Sequence, residues 1–534
     1  MPSDEAKASS SSRVHAIVGK SHRLVSSSPC TSPIHGRNVE DSAGATTGLQ
    51  LALAVVAGVL TRFVGLGRES IWLDEATSLI IARMSPSSVV AWAAADIHPP
   101  LYYLVLHFWL CWGDSEFAVR ALSALLGVAT VVVVYALACE LFDKRVGVLS
   151  AFLFSLAPLH VWYSQEARMY VMVTMLSLLA SYLLVKALRR PGQGRLWVTY
   201  VLVSALALYT HYFALFALLF CNLFALYRMW RHGTGTWRKW LKAQLAVALL
   251  FLPWMPILYR QVTTGGGGWV ERAIGRPMLQ SLLDTWLKFS VGLDSGLYPV
   301  LLRRIAYVLL FASLLVAILR VLWPMRDKHP DSLAGDREGV LFCLVGAALP
   351  VLGIWLLSQF KPMYSIRYLL VFMPLYWILV AYGIGGLPPQ GFRAAVTTLL
   401  LVTLVVGNYM AWRVEQNPDW RGTASHVLQR ARPGDVVLFS PRWNVKPFEY
   451  YNRAQVDTNM DLPIPVTPEA AQAVVDDIAQ RYRRVWLVWQ RGHYSDPTGI
   501  PKQILESRYE VVEEAMFRGV DQVILYELSP VGGS

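Results

Sequence analysis

Charge is scarce in this sequence. Asp, Glu, Lys and Arg together supply 16% of its 534 residues, where a soluble domain carries roughly 25%. Cysteine is scarce as well: Cys30, Cys111, Cys139, Cys221 and Cys343 stand far apart, in neither a metal-ligand pattern nor a disulfide framework. Buried small hydrophobe is the reading for most of them. No internal repeat appears at solenoid spacing. There is no basic-aromatic surface motif, so the net charge of +12 does not point to nucleic acid. No compact positive region abuts a short apolar run with a clean cleavage site, so the first apolar stretch, 49–66, reads as a retained helix and not a signal peptide.

What the chain has in abundance is apolar sequence, 55% of its residues. Segments near the ~18 apolar residues that suggest a spanning helix recur at 49–66, 117–139, 146–162, 169–188, 196–212, 213–229, 241–260, 300–322, 339–358, 368–386 and 393–412. The expectation is a polytopic α-helical membrane protein with about eleven transmembrane helices. Residues 1–47 are Ser-rich with mixed charge and little apolar periodicity, the texture of disorder. Residues 48–412 form the membrane domain. The tail, 413–534, alternates helical patterns at 423–432 and 469–481 with β-rich runs at 435–439, 485–489 and 523–526, which predicts a small α/β domain.

Loop charge sets an orientation. Asp143-Lys144-Arg145, Arg189-Arg190 with Arg195, 228–242, 320–337 and Arg393 fall in alternate, consistently basic loops, and basic loops stay cytoplasmic. The amino terminus is then cytoplasmic and the tail extracytoplasmic, in the cell (inner or plasma) membrane.

The informative polar residues gather in the opposite loops. Asp74 and Glu75 lie in the first, followed by His98-Pro99-Pro100 and Tyr102. Adjacent carboxylates can give one base and one partner, although acids also favour the first turn of any helix. Tyr163, Gln165, Glu166 and Arg168 sit between two apolar runs, and His211 lies at a helix junction. Ionisable groups at such places are costly and tend to mark function. Lys361, Tyr364 and Arg367 lie in a further outer loop, against the positive-inside bias. Binding a phosphate or anionic headgroup supplies a reason for them, and snorkelling to lipid phosphates is the plainer alternative.

The motifs WLDEA, HPPLYY, CWGDSEFAVR, YSQEARMY, YTHYFALF, FLPWMPIL and KPMYSIRYLL stand in this order. The sequence so resembles bacterial family-39-type glycosyltransferases of the GT-C class, relatives of protein O-mannosyltransferases and of the aminoarabinose transferases that act on lipid A. The likeness runs from near Arg62 to near Ala381 and covers the tail poorly, although DWRGTASHVLQRARPGDVVLF is similar to tails of the group. The resemblance implies an inverting glycosyltransferase with a polyprenyl-phosphate-sugar donor. Its acceptor would be a hydroxyl of a protein, lipid or glycan, at the extracytoplasmic face among membrane lipids. By carry-over Asp74 is the general base and Glu75 positions the acceptor or tunes Asp74. Lys361, Arg367, Arg168, His98 and Tyr364 hold the donor phosphate. Glu166, Gln165, Tyr163, His211 and Tyr102 support them. At the Pro-Pro motif aminoarabinose transferases carry a lysine and mannosyltransferases a histidine; this chain has His98. No metal or other cofactor is demanded by the spacing, though Asp74, Glu166 and His211 could contribute ligands to a divalent ion.

Two other functions use the same features. A transporter or flippase of lipid-linked sugars would want midplane sites in broken helices, often in repeated halves, which the sequence does not display. A scaffold would leave Asp74 and Glu75 without a purpose.

Overall fold

The computed structural model describes residues 35–233, 235–264, 275–293, 299–322, 330–490 and 495–528. The chain divides into two compact units, Met1–Thr46 and Thr47–Ser534. Of the first, only helical backbone from His35 onward is described, ahead of the border expected at residue 47; residues 1–34 lie outside the described set.

Among the described residues nine helices are long and apolar enough to cross a membrane, and a bent pair makes a tenth. Each of the eleven expected segments falls on a helix. The two that do not pass alone are the bent pair and Gly194–Thr210, which has 17 residues.

The bent pair is Lys144–Ser155 and Pro158–Ser164, meeting at 60°. Pro158 lacks an N–H and disfavours helix in the residue before it; the helix stops at Ser155, whose carbonyl is one of those a helix end leaves without a backbone donor. Thr61 and Arg62 replace that donor, giving hydrogen bonds of 3.0 and 2.9 Å to the Ser155 oxygen. Arg62 is fully buried. It also donates to the Gly58 carbonyl at 3.2 Å and lies 3.0 Å from His160 Nδ1. Gly127 makes room for this plug, since a Cβ there would come within 2.4 Å of Ser164 Oγ and 2.8 Å of Arg62 Nε.

Helix Ile366–Gly385 is 94% enclosed by protein, whereas Thr46–Phe63, Trp237–Thr264 and Val300–Leu322 are each only 22% enclosed. Gly383 lets the buried helix press against Val300–Leu322: a Cβ there would stand 1.9 Å from the Ser313 carbonyl oxygen.

The tail is an α/β sandwich around a five-stranded sheet of order β2-β1-β3-β5-β4. Its strands are β1 (Asp435–Ser440), β2 (Asp457–Asn459), β3 (Arg484–Trp489), β4 (Glu510–Phe517) and β5 (Val520–Glu527). β1 pairs in parallel with β2 and β3, while β5 runs antiparallel to β3 and β4. Side chains alternate between faces along a strand. Val436, Leu438, Val485 and Leu487 therefore pack with Ala471 and Val475 on one face. Val437, Phe439, Trp486 and Val488 meet Trp420 and Val427 on the other.

This sheet domain is joined closely to the first loop of the membrane domain. The Ile71 N–H donates to the Tyr451 hydroxyl at 2.8 Å, and Asn417 Nδ2 donates to the Ser70 carbonyl at 3.1 Å. Ile71, Ala76 and Leu79 pack against Tyr450. The helix carrying Asp74 is thus wedged between bundle and tail.

Candidate active site

Helix Leu73–Ala82 opens with Asp74 and Glu75 in its first turn, where the helix dipole favours acids. Neighbours on a helix point about 100° apart, from 3.6 residues per turn, so the two carboxylates part company. Glu75 turns inward and is fully buried. Its Oε1 accepts from Arg120 Nε at 2.8 Å and from the Ala167 N–H at 2.9 Å; its Oε2 accepts from Arg120 Nη2 at 2.7 Å. Arg120 also donates to the carbonyls of Leu66, Glu69 and Ser70 at 3.1, 2.8 and 3.0 Å. Glu75 is therefore committed to the wall behind Asp74, paired with Arg120, and does not share the exposed face of Asp74.

Asp74 turns outward with 28% of its side chain exposed, and its Oδ2 accepts from Arg367 Nη1 at 2.8 Å. Its Oδ1 has no hydrogen bond among the described residues. Arg367 stands at the start of the buried helix Ile366–Gly385. Arg168 approaches from the other side, donating to the Asp74 carbonyl at 3.2 Å and to Ser78 Oγ at 3.0 Å. Tyr170 lies between the two guanidinium groups, its ring centroid 5.7 Å from Arg168 and 5.9 Å from Arg367. Its hydroxyl is 3.4 Å from Arg367 Nη1. The site is thus one carboxylate facing two arginines over an aromatic floor, which Tyr163 extends at 5.5 Å and Tyr368 at 6.1 Å.

Two histidines close one end. The rings of His98 and His211 are 5.4 Å apart, and His211 lies 4.9 Å from Tyr368. Burial lowers the pKa of His98, with Asp96 at 3.4 Å opposing and Arg168 adding to the shift. His211 is held well below its usual value by burial, His98 and Arg168. Both shifts favour the neutral ring, the form in which His98 offers phosphate an N–H but not a charge. The Phe213 N–H donates to His211 Nδ1 at 3.2 Å, which puts the proton on Nε2. That buried N–H has no partner among the described residues.

Glu166 forms the remaining side. Trp162 Nε1 donates to its Oε1 at 2.9 Å, while Oε2 is buried with no partner among the described residues. Burial pushes its pKa up to about 8; Arg367 lowers it, and Glu75 and Asp74 add to the rise. It also lines a cavity of about 80 Å³ shared with Arg120, Trp412 and Asn417, room for a few waters at roughly 30 Å³ each.

Several expected members stand elsewhere. Lys361 is exposed and donates to the Val262 carbonyl at 2.6 Å. Tyr364 meets Thr285 Oγ1 at 2.7 Å, packing against helix Gln280–Val291. Gln165 caps the first helix, donating to the carbonyls of Thr61, Arg62 and Val64. Tyr102 is core, its hydroxyl 3.5 Å from Ser123 Oγ. Asp74, Glu166 and His211 do not assemble as metal ligands: among the described residues no group of three His, Cys, Asp or Glu could hold an ion.

One contributor comes from the tail. Lys446, on helix Val445–Asn452, donates to Thr77 Oγ1 at 3.3 Å. Burial lowers its pKa, and its charged neighbours are Asp96, Asp74 and Arg168. Nothing local in the sequence marks it, because its neighbours lie some hundreds of residues away. Arg120 and Tyr170 were within reach, since both stand in the quoted motifs CWGDSEFAVR and YSQEARMY.

Residues 97–259 match the profile of the family described as dolichyl-phosphate-mannose-protein mannosyltransferase. This segment carries His98, Arg120, Glu166, Arg168, Tyr170 and His211. The fold is similar to that of ArnT from Cupriavidus metallidurans, at 12% identity over 91% of this chain and 98% of that one, TM-score 0.56. The chain thus has an ArnT-like fold and carries a segment similar to this mannosyltransferase family. Its fold is also similar to the oligosaccharyltransferase of Archaeoglobus fulgidus solved with zinc and sulfate, at 13% identity over 82% of this chain and 68% of that one, TM-score 0.54. No curated protein matches the sequence. In the ArnT comparison the likeness reaches into the sheet-bearing tail, since the part of this chain left out by its 91% coverage is shorter than that tail.

Proposed function

We propose that this protein is a glycosyltransferase that moves a sugar, with inversion, from a polyprenyl-phosphate donor to an acceptor hydroxyl at the extracytoplasmic face, using Asp74 as base. The observation that carries the reading is the meeting of Asp74 with Arg367 and Arg168 at one end of the bundle. An ArnT structure holding undecaprenyl phosphate supports a lipid-phosphate donor, and the basic loops at the other end support the sidedness. The membrane domain would be 48–412 and the acceptor-side domain 413–534.

In this scheme the donor phosphate competes with Asp74 for Arg367. As Arg367 swings to the phosphate, the Asp74 carboxylate is freed to accept the proton of the acceptor hydroxyl. The hydroxyl oxygen forms its bond to the anomeric carbon from the face opposite the phosphate. The old carbon–oxygen bond breaks and its electron pair leaves with the phosphate, whose growing charge Arg367 and Arg168 stabilise. A phosphate leaves without prior protonation, so one base suffices, unlike hydrolysis of a glycoside. Glu75 and Arg120 hold the helix from behind as positioning residues.

Purified protein given a polyprenyl-phosphate sugar separates this from transport: transfer or slow sugar hydrolysis supports the proposal, whereas translocation alone refutes it. Arg367→Ala should weaken donor binding roughly tenfold to a hundredfold, the scale of a lost charged hydrogen bond of about 1.5–3 kcal/mol, read by titration with the product polyprenyl phosphate. Unchanged binding would move the phosphate site elsewhere.

Glu166 gives a pH dependence. Its pKa lies near 8, so it is neutral below that pH and becomes a second negative charge beside Asp74 above it. Donor kcat/KM should fall as pH rises through about 8. Glu166→Gln, which keeps an oxygen for Trp162, should flatten that limb; an unaltered limb would assign it to another group.

The tail's part is tested better by a point change than by deletion, because removing it would bare Ile71, Ala76 and Leu79. Lys446→Met should raise acceptor KM several-fold and leave donor binding within about twofold, if the tail helps select the acceptor. Equal loss for both ligands would refute that division.

A further inference from the structure

A second polar cavity lies at the other end of the buried helix. Gly385 is roughly 27 Å along the axis from Arg367, at about 1.5 Å per residue, close to the ~30 Å of a bilayer's hydrocarbon core. The cavity there has a volume of about 720 Å³ and is lined by three arginines, Arg145, Arg320 and Arg393, and two carboxylates, Asp143 and Asp336, beside Tyr382. That is within the usual size of ligand sites, roughly 300–1,000 Å³.

Two of its arginines, Arg320 and Arg393, are held by backbone carbonyls. Arg320 Nη1 donates to the Tyr382 carbonyl at 3.1 Å, and its guanidinium carbon lies 4.4 Å from the Tyr382 ring centroid. The ring stacks in turn on Phe142 at 4.4 Å, and its hydroxyl donates to Asp336 Oδ2 at 3.1 Å. Gly386 supplies the space for the guanidinium, since a Cβ there would fall 2.4 Å from Arg320 Cδ and 2.9 Å from Nε. Arg393 Nη1 donates to the Gly385 carbonyl at 3.2 Å. Among the described residues Arg320 and Arg393 donate to carbonyl oxygens and not to carboxylates, and the lining sets three guanidinium groups against two carboxylates.

Snorkelling arginines reach outward to the interface. Arg320 and Arg393 instead fold against neighbouring helix ends and leave their remaining N–H groups beside an open cavity. A guanidinium fork matches the oxygens of a phosphate, and basic pockets between transmembrane helices take anionic headgroups. We propose that this cavity binds the phosphate-bearing headgroup of an anionic membrane lipid, on the membrane face opposite Asp74. The site is separate from the transfer reaction and does not depend on the assignment of Asp74.

Native mass spectrometry of the full-length protein tests this, with phosphatidylglycerol, phosphatidylcholine or inorganic phosphate added to delipidated samples. One phosphatidylglycerol should be retained per chain, with at least tenfold preference over phosphatidylcholine, and should raise the unfolding temperature. Arg393→Gln and Arg320→Gln should each weaken retention about tenfold. Arg393→Gln carries the test if Arg320→Gln does not fold, since Arg393 touches only one carbonyl. Arg238, exposed and stacked on Trp237, is the control for surface charge. Equal weakening by Arg238→Gln, equal stabilisation by inorganic phosphate, or no preference between the lipids would each overturn the proposal.

Discussion

Asp74→Asn should lower transfer by about two to four orders of magnitude, the range that general base catalysis supplies, while polyprenyl-phosphate binding is kept or slightly tightened. The asparagine oxygen can still accept from Arg367, so the local fold has little reason to change. What is lost is the ability to take a proton from the attacking hydroxyl. The tightening follows from the 2.8 Å pair between Asp74 and Arg367: a neutral partner releases the guanidinium to phosphate at less cost. Single-turnover transfer with product-lipid titration measures both quantities. Normal turnover in Asp74→Asn would remove the base, and lost lipid binding would show that Asp74 holds the donor site together instead.

Arg120→Met should be the most destabilising single change in the outer half of the protein. It strands the Glu75 carboxylate, 0% exposed, and deprives three carbonyls of their donor. Breaking a buried pair from one side costs about 3–5 kcal/mol. The loss should appear as a lower unfolding temperature or as aggregation on size exclusion. Glu75→Met paired with Arg120→Met should recover part of it, because removing both charges ends the worst penalty. Recovery should be incomplete, since Leu66, Glu69 and Ser70 still lack their donor. A stable Arg120→Met protein with no transfer would instead give Arg120 a direct part in the chemistry.

The helices were legible because the apolar runs are long and the breaks between them are charged. The bend at Pro158 was not, because the mainly apolar run 146–162 continues past the proline and reads as one span. In the tail, β1, β3 and β5 announce themselves as short runs of aliphatic and aromatic residues, VVLF, VWLVW and VILY. β4, with the sequence EVVEEAMF, escapes because an edge strand exposed on one face needs little apolar character. The short β2 is only three residues, too brief for any periodicity.

The candidate site was legible to the level of loops. Asp74, Arg168, Arg367, His98 and His211 were picked from different outer segments, and they do meet. What sequence order cannot give is the rotation of each side chain. Asp74 and Glu75 look equivalent in WLDEA, yet one turn of geometry sends the first to the cleft and the second to Arg120. Lys361 and Arg367 likewise look like a pair, but they are six positions apart and separated by a non-helical stretch, so Lys361 ends on the Val262 carbonyl. Lys446 was out of reach because only the docking of the tail brings it to Thr77.

Because Ile366–Gly385 is gripped on nearly every side, and Gly383 touches the Ser313 backbone, it cannot roll or slide without unpacking its neighbours. It serves as a fixed mast for Arg367. The yielding needed to admit a long isoprenoid must then fall to the outer staves of the bundle, such as Thr46–Phe63 and Trp237–Thr264, whose flanks face acyl chains more than protein. A crosslink between two such staves should slow lipid exchange while leaving the geometry around Arg367 untouched.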